Sequence, residues 1–600
     1  MAKDKSKKYK VLKWILGSVL GLAILIVGAS WVISAKLKPL LKKELREMVL
    51  KSTNGLYSVD FSDIHTNLIT GSATILDVSI KPDSANYKAQ ILDLKAPNNL
   101  YYIKLKKVAV KNFRPFKVFF DNEVDVKLLL FDKPEITMVN KQFEFNENLP
   151  PRPRKSPYDY IKKLFKSLRV ETIDFKNARF KYVNNNGAFP EVDSVSHLNI
   201  KLTDWLIDSL SATDTTRLYL LKDVHVNLNN YSYATPDSMY YINASDFDFT
   251  ASSGMANIKK FALVPRYSEA DFPRVNGYAR DRFSIQLNNI GLKGLNLPGY
   301  LRKREIVASE MNIADGMVSV FNDNSYPKQE KVKTGRYPHQ LLQLINEEIT
   351  IKKIGLSNID ISYAEFDKDS KQRGKITFQN TSGTITNATN APKIKQKQPL
   401  MLANLESYVM GQGKLLVNFK FNLISPTGAF DYQGSLTNLD GRKLNEITKP
   451  LGMIQVNRGM IKKLDFDIKT DNDLAKGNLG FTYNDLSVAL LKKEEGKTRL
   501  VKQGLLSILA NALVIYSDNP SDKGHLTTAK INFKRKPTAS FFSFIWKSLF
   551  QGVKFCVGVS PTKEAEIKAQ VNKFEKMKDD RDERRRRRQI RIEKREREQR

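Results

Sequence analysis

Residues 168–182 read LRVETIDFKNARFKY and residues 349–363 read ITIKKIGLSNIDISY. The two align without a gap, and each has a central Asn and a terminal Tyr. Ile173 and Phe175 in one copy, and Ile354 and Leu356 in the other, alternate with polar neighbours, the period of a half-buried strand. Asn177 and Asn358 then interrupt the run, and Asn tolerates the left-handed conformations that bends demand. Phe180 and Ile361 lie in the second strand of each copy. Extended backwards, residues 157–182 align with residues 338–363. Each copy begins with Pro and a short piece of helical apolar spacing: Ile161, Leu164 and Leu168, then Leu342, Ile345 and Ile349. Pro is favoured at the first position of a helix. Upstream, IKLKKVAVKNF (residues 103–113) resembles IQLNNIGLKGL (residues 285–295) at nearly the same spacing. A unit of strands with a short helix therefore occurs twice, which predicts similar layers added along one axis.

The same alternation fills the rest of the body. Tyr57, Val59 and Phe61 alternate with Ser58, Asp60 and Ser62. Ala73 and Ile75 alternate, then Leu76, Val78 and Ile80 do so in the other phase, as a β-bulge requires. Residues 124–130, 224–228, 247–250, 283–292, 311–320, 415–423 and 464–468 follow the pattern, with turn residues between them. The expected fold is mainly β: an elongated, repetitive antiparallel sheet with a few short helices. An alternating sheet must place its apolar face somewhere. Sandwiches, closed barrels and a long open groove all satisfy the pattern, and only the groove leaves a continuous apolar lining. The candidate lining is Tyr57, Val59, Phe61, Ile173, Phe175, Phe180, Ile354, Leu356 and Ile361.

Residues 14–34, WILGSVLGLAILIVGASWVIS, carry no charge. As a helix they rise about 31 Å, matching a bilayer's hydrocarbon core. Ile15, Leu20 and Leu25 supply the apolar surface, and Trp14 and Trp31 stand near the ends, where indoles prefer the interface. A single transmembrane helix is expected, preceded by a basic segment at residues 1–13. A short basic N-terminus most often stays cytosolic, which sends the body across. Lysines flank both sides, so charge alone does not fix the orientation. Residues 35–54 read as a helical neck ended by Asn54 and Gly55.

Near the other end, residues 536–559 read KPTASFFSFIWKSLFQGVKFCVGV. Ser540, Ser543, Lys547, Gln551 and Lys554 make one narrow polar stripe on a helix. Phe541, Phe542, Phe544, Trp546, Phe550 and Phe555 are among the residues that cover the rest. That composition points to a helix in a membrane interface or one that plugs an apolar cavity, against the plainer reading of a core helix. Residues 560–600 are a charged, Arg-rich tail read as helical or disordered. Between neck and helix the body divides into two β units, residues 55–280 and 281–535.

The chain is 600 residues long with a net charge of +34. Such a balance favours anionic partners. Hydrophobic residues make up 41%, enough for a folded body. One cysteine, Cys556, excludes an internal disulfide and a Cys-rich zinc site. The five histidines, His65, His197, His225, His339 and His525, stand singly, with no metal-ligand spacing. Residues 411–414, GQGK, lack the glycine spacing of a phosphate loop, and Leu415 stands where a Ser or Thr would bind magnesium. No nucleophile elbow or HExxH helix occurs. The sequence thus predicts no enzyme, no cofactor and no metal.

Anchor, alternating strands and C-terminal helix together resemble the AsmA-like family of bacteria, in its Bacteroidetes form. The residues carrying the likeness are GLYSVDFSDIHTNLITGSATILDVSIKP (residues 55–82), FALVPRYSEADF (261–272), the doubled VETIDFKNARFKY (170–182), GNLGFTYNDLSVALL (477–491) and SFFSFIWKSLFQGVKF (540–555). The resemblance implies a single-pass inner-membrane protein whose periplasmic β-groove binds phospholipids or other acyl lipids and supports lipid transport to the outer membrane. Outer-membrane or periplasmic proteins are further partners it implies, and nucleic acid is disfavoured by the anchor. The Arg-rich tail departs from the family pattern. The alternative reading is a structural scaffold that assists outer-membrane protein assembly.

Overall fold

The structure is a computed structural model that describes residues 37–560 apart from 68–69, 148–155, 188–189, 212, 215, 219, 328–332, 369, 494–499 and 503–514, and parts of 562–591. The chain is mainly β and mostly antiparallel, with 55% of residues in strands. It forms two contact-dense units. Unit 1 holds residues 1–266 and 286–312, and unit 2 holds residues 267–285 and 313–600.

In unit 1, β1 (Tyr57–Asp60) and β2 (Asp63–Asn67) both pair with β3 (Ser72–Pro82). The ladder then follows chain order through β4 (Asn99–Phe113), β5 (Glu123–Asn140), β6 (Ser167–Asn184), β7 (Glu191–Ile207), β8 (Asp223–Ala234), β9 (Tyr240–Thr250) and β10 (Met255–Pro265). One pairing departs from the antiparallel sheet the sequence predicts. β5 and β6 are parallel, with Leu129 beside Ile173 and Phe131 beside Phe175. Residues 141–166 connect them, the dozen or more that a parallel crossover needs, and include the helix Pro157–Ile161.

The neck is the helix Leu37–Ser52. It ends as the sequence indicates: Asn54 and Gly55 are both left-handed, and the Gly55 N–H donates to the Leu50 carbonyl at 2.7 Å. Leu45 and Val49 on this helix are buried in one core with Tyr57, Val59, Phe61, Ile80 and Tyr101.

β11 (Arg282–Lys293) and β12 (Glu305–Asp323) follow, joined by the helix Leu297–Lys303. This repeats β4, the helix Pro115–Asp121 and β5, and both helices have Pro in the first turn. The doubled segment continues the match. Helix Pro338–Leu342 precedes β13 (Glu348–Phe366), as Pro157–Ile161 precedes β6. Asp315 with Asn358, and Ser319 with Ser362, are hydrogen-bonded at equal sequence offset, so β12 and β13 also run in the same direction.

From β13 the ladder of unit 2 is antiparallel through β14 (Arg373–Thr389), β15 (Leu400–Val409), β16 (Gly413–Asn422), β17 (Phe430–Asp440), β18 (Ile454–Thr470) and β19 (Leu474–Lys493). β20 (Leu500–Lys502) pairs with the end of β19, and β21 (Thr528–Lys534) with its beginning. Gly411 and Gln412 of the GQGK stretch lie in the tight turn between β15 and β16, with Met410 and Gly411 left-handed, and Gly413 and Lys414 already belong to β16.

The long strands bend at single left-handed residues. Asp77 lies between the β3 pairs Leu76–Lys107 and Val78–Leu105, Lys133 has the same place in β5, and Asn177, His197 and Asp246 continue the series in β6, β7 and β9. In unit 2, Asp315, Asn358 and Asn380 have the same conformation. Nearby side chains support these bends. The Asn358 side-chain amide donates to the Asp315 carboxylate at 2.6 Å, and the Asn380 N–H donates to Asp360 at 2.9 Å. The bend at Asp77 shifts side-chain parity by one without breaking the register to β4, so β3 buries Ala73 and Ile75 before it, then Val78 and Ile80 after it, on one face.

Candidate functional site

Strand register places the apolar residues of unit 1 in continuous rows across the sheet. One row is Val108, Phe131, Phe175, Ile200, Val226, Phe249 and Ala256, one residue from each of β4 to β10. At about 4.8 Å between strands it spans roughly 29 Å. A second row is Val110, Leu129, Ile173, Leu202 and Val224. Beyond the bends, Ile136, Phe180 and Val195 form a third. Phe131 and Phe175 stack with ring centroids 4.6 Å apart.

Burial along these rows is uneven. Leu129 and Phe131 are 1% and 3% exposed, beneath the core that includes the neck helix. Phe175, Phe180, Ile200, Leu202, Val224 and Val226 are only half-buried. The opposite face of the same strands is polar. Asp174, Lys201 and His225 lie in register there, as do Asn199, Asn227 and Asp248, and His225 Nε2 is 2.7 Å from the Asp248 carboxylate. One side of the sheet is therefore wettable, and the other carries aliphatic and aromatic groups partly open to solvent.

Unit 2 has its own row: Ile354, Ile385, Ala403, Phe419, Tyr432, Ile468, Gly477 and Ile531. The helix Phe541–Cys556 lies over the β19 and β21 end of it. Phe544, Ser548, Gly552 and Cys556 are its buried line, four residues apart, so one helical face meets the sheet. Ser548 and the Tyr432 hydroxyl are hydrogen-bonded at 2.6 Å, and Gly552 lets the helix approach Ile531 and Leu479. At the β13 and β14 end, Ile354, Leu356, Ile361, Ile376 and Ile385 are half-buried.

Beside that helix is an aromatic cluster of Tyr337, Phe421, Phe430, Tyr432, Phe541 and Phe544. Two polar groups are buried in it. The Arg535 guanidinium lies 4.6 Å from the Tyr337 ring and donates to the carbonyls of Lys333, Asn472 and Ala539. Burial lowers its affinity for the proton. His339 is 1% exposed, its ring 5.1 Å from Phe421, and burial pushes its pKa down to about 4. The tyrosines that end the two sequence copies, Tyr182 and Tyr363, are pushed up by burial, and Tyr363 donates to Glu365 at 2.6 Å.

The structure separates the predicted lining into two groups. Tyr57, Val59 and Phe61 are fully buried with the neck helix, and the Tyr101 N–H donates to the Tyr57 hydroxyl at 3.0 Å. Phe175, Phe180, Ile354, Leu356 and Ile361 are half-buried, and Ile173 sits at the edge of the covered region. Of the C-terminal aromatics, Phe544 is buried and Phe541 partly so, while Phe542, Trp546 and Phe555 are exposed. Trp14, Ile15, Leu20, Leu25 and Trp31 lie outside the described residues. Among the described residues no helix is long and apolar enough to cross a membrane, and no cluster of three metal-ligating side chains occurs. Sequence reasoning missed His339 and Arg535. Each lies beside its own signal, a Pro-initiated helix carrying an inward His and a strand end just before the aromatic helix.

No protein-family model matches this chain, and no curated protein matches it.

Proposed function

We propose that this protein is a membrane-anchored carrier of acyl lipids in the bacterial envelope, moving phospholipids between inner and outer membrane, with the sheet body in the periplasm. The observation that carries this reading is the two-faced sheet: half-exposed apolar rows across many strands, backed by a polar surface. Sheltering an acyl chain from water is worth about 0.8 kcal/mol per methylene, so a lining of ordinary Val, Ile, Leu and Phe residues suffices. A chain that must slide needs no stereospecific contact, which fits rows of interchangeable apolar side chains. Positive charge on the protein suits phosphate headgroups.

The test is mass spectrometry of lipids extracted from the purified full-length protein, with Phe180→Glu and Ile361→Glu as comparisons. The expected result is several phospholipids per chain, reduced by each substitution while the circular dichroism spectrum is retained. Protein free of lipid above a control, or variants with unchanged lipid content, would overturn the reading in favour of a protein-binding scaffold.

A further inference from the structure

The helix Phe541–Cys556 is apolar on two separate faces. Its buried line, Phe544, Ser548, Gly552 and Cys556, is spent on the sheet. At 100° per residue, Phe542, Trp546 and Phe550 form a second ridge turned away from that line, while Leu549 and Val553 pack at the edge of the core. Phe542 is 61% and Trp546 41% exposed. Trp546 and the half-buried Phe550 stack with centroids 5.5 Å apart. The ridge is bordered by Lys547 and Lys554, and the Lys554 amine sits 5.5 Å from the Phe550 ring. A core helix would expose polar residues here.

We propose that this ridge docks the C-terminal end of the protein on the surface of an anionic lipid bilayer. The ridge offers no hydrogen-bonding group except the indole N–H, so it lacks the means to specify a protein partner. Trp and Phe bordered by Lys is the composition that seats a helix at the headgroup boundary, with cations on phosphates and rings below them. The Arg-rich sequence that follows from residue 563 onward adds positive charge. The lipid-carrier function does not require this contact, and the contact does not require a filled groove.

The experiment uses the full-length chain with Trp14→Phe, Trp31→Phe and Trp205→Phe, so that Trp546 is the sole tryptophan. It is reconstituted in phosphatidylethanolamine–phosphatidylglycerol vesicles. Brominated acyl chains, which quench nearby indoles, are placed either in the host vesicles or in added acceptor vesicles of the same composition. The expected result is at least a twofold loss of Trp546 emission in one of the two arms. The loss should disappear with Phe542→Glu/Phe550→Glu, while lipid co-purification stays unchanged. No quenching in either arm overturns the proposal. Equal quenching by purely zwitterionic phosphatidylcholine vesicles overturns its anionic character.

Discussion

Asn177 and Asn358 hold φ of 53° and 55° inside strands, where a β-branched residue would be strained. Left-handed backbone costs an ordinary L-residue roughly 1–2 kcal/mol. Asn177→Val should therefore destabilise unit 1 by about that amount, and Asn358→Val should do the same in unit 2, with loss of the amide bond to Asp315 besides. Chemical denaturation followed by tryptophan emission and by circular dichroism checks both, and Asn→Gly should cost clearly less. His339 makes a different prediction. Its neutral form is the one the aromatic cluster tolerates, so its folded pKa, about 4, lies below the ordinary 6.5. The unfolded chain takes up the proton first. The stabilising contribution is complete above about pH 6.5 and is lost as pH falls towards 4, to a total of about 3 kcal/mol. A urea midpoint measured against pH should fall more steeply for the wild type than for His339→Phe over that window. Parallel curves would mean that the imidazole is solvated.

At the scale of elements, the C-terminal helix shows how one segment carries opposite sensitivities on its two faces. A Cβ at Gly552 would stand 2.6 Å from Ile531 and 3.0 Å from Leu479. Gly552→Leu should therefore push the helix off β19 and β21 and cost about 1–3 kcal/mol, as overpacking does. Phe542→Ser, on the outward ridge, should change stability by no more than about 0.5 kcal/mol. Thermal unfolding of the two variants separates them. Periodicity in the sequence fixes the helix and its polar stripe. It does not say which apolar side the sheet takes, because Phe, Trp and Leu satisfy a core and an interface equally. The small residues Ser548, Gly552 and Cys556, four apart, are the local trace of the buried side, and that trace is readable only once a sheet is known to lie beneath it. The neck poses the same problem for Tyr57, Val59 and Phe61. Their alternation is that of any two-faced strand, and the cover comes from Leu45 and Val49 on another element.

For the whole molecule, what is legible is what is local or repeated. Period-2 alternation gives the strands, Asn177 and Asn358 give two of the bends, and the doubled segment foretells that helix Pro338–Leu342 leads into β13 as Pro157–Ile161 leads into β6. Strand direction is not local. β5 and β6 read as any two neighbouring strands, and only the crossover between them makes them parallel. Exposure is not local either, which is why the lining divides into covered and open parts on inspection of packing alone. The duplicated architecture leads to the last prediction. If each unit handles every lipid transferred, the two act in series, whereas separate binding sites act independently. Phe180→Glu in unit 1 and Ile361→Glu in unit 2 should each remove only a share of the bound lipid, and the double variant should remove the sum of the two shares. Transfer of fluorescent phospholipid between donor and acceptor vesicles should behave otherwise. Each single variant should reduce it by at least tenfold, and the double variant should fall little further, because a path interrupted once is already closed. Transfer that falls in proportion to bound lipid, single by single and then additively, would show that the two sheets hold lipid without conducting it.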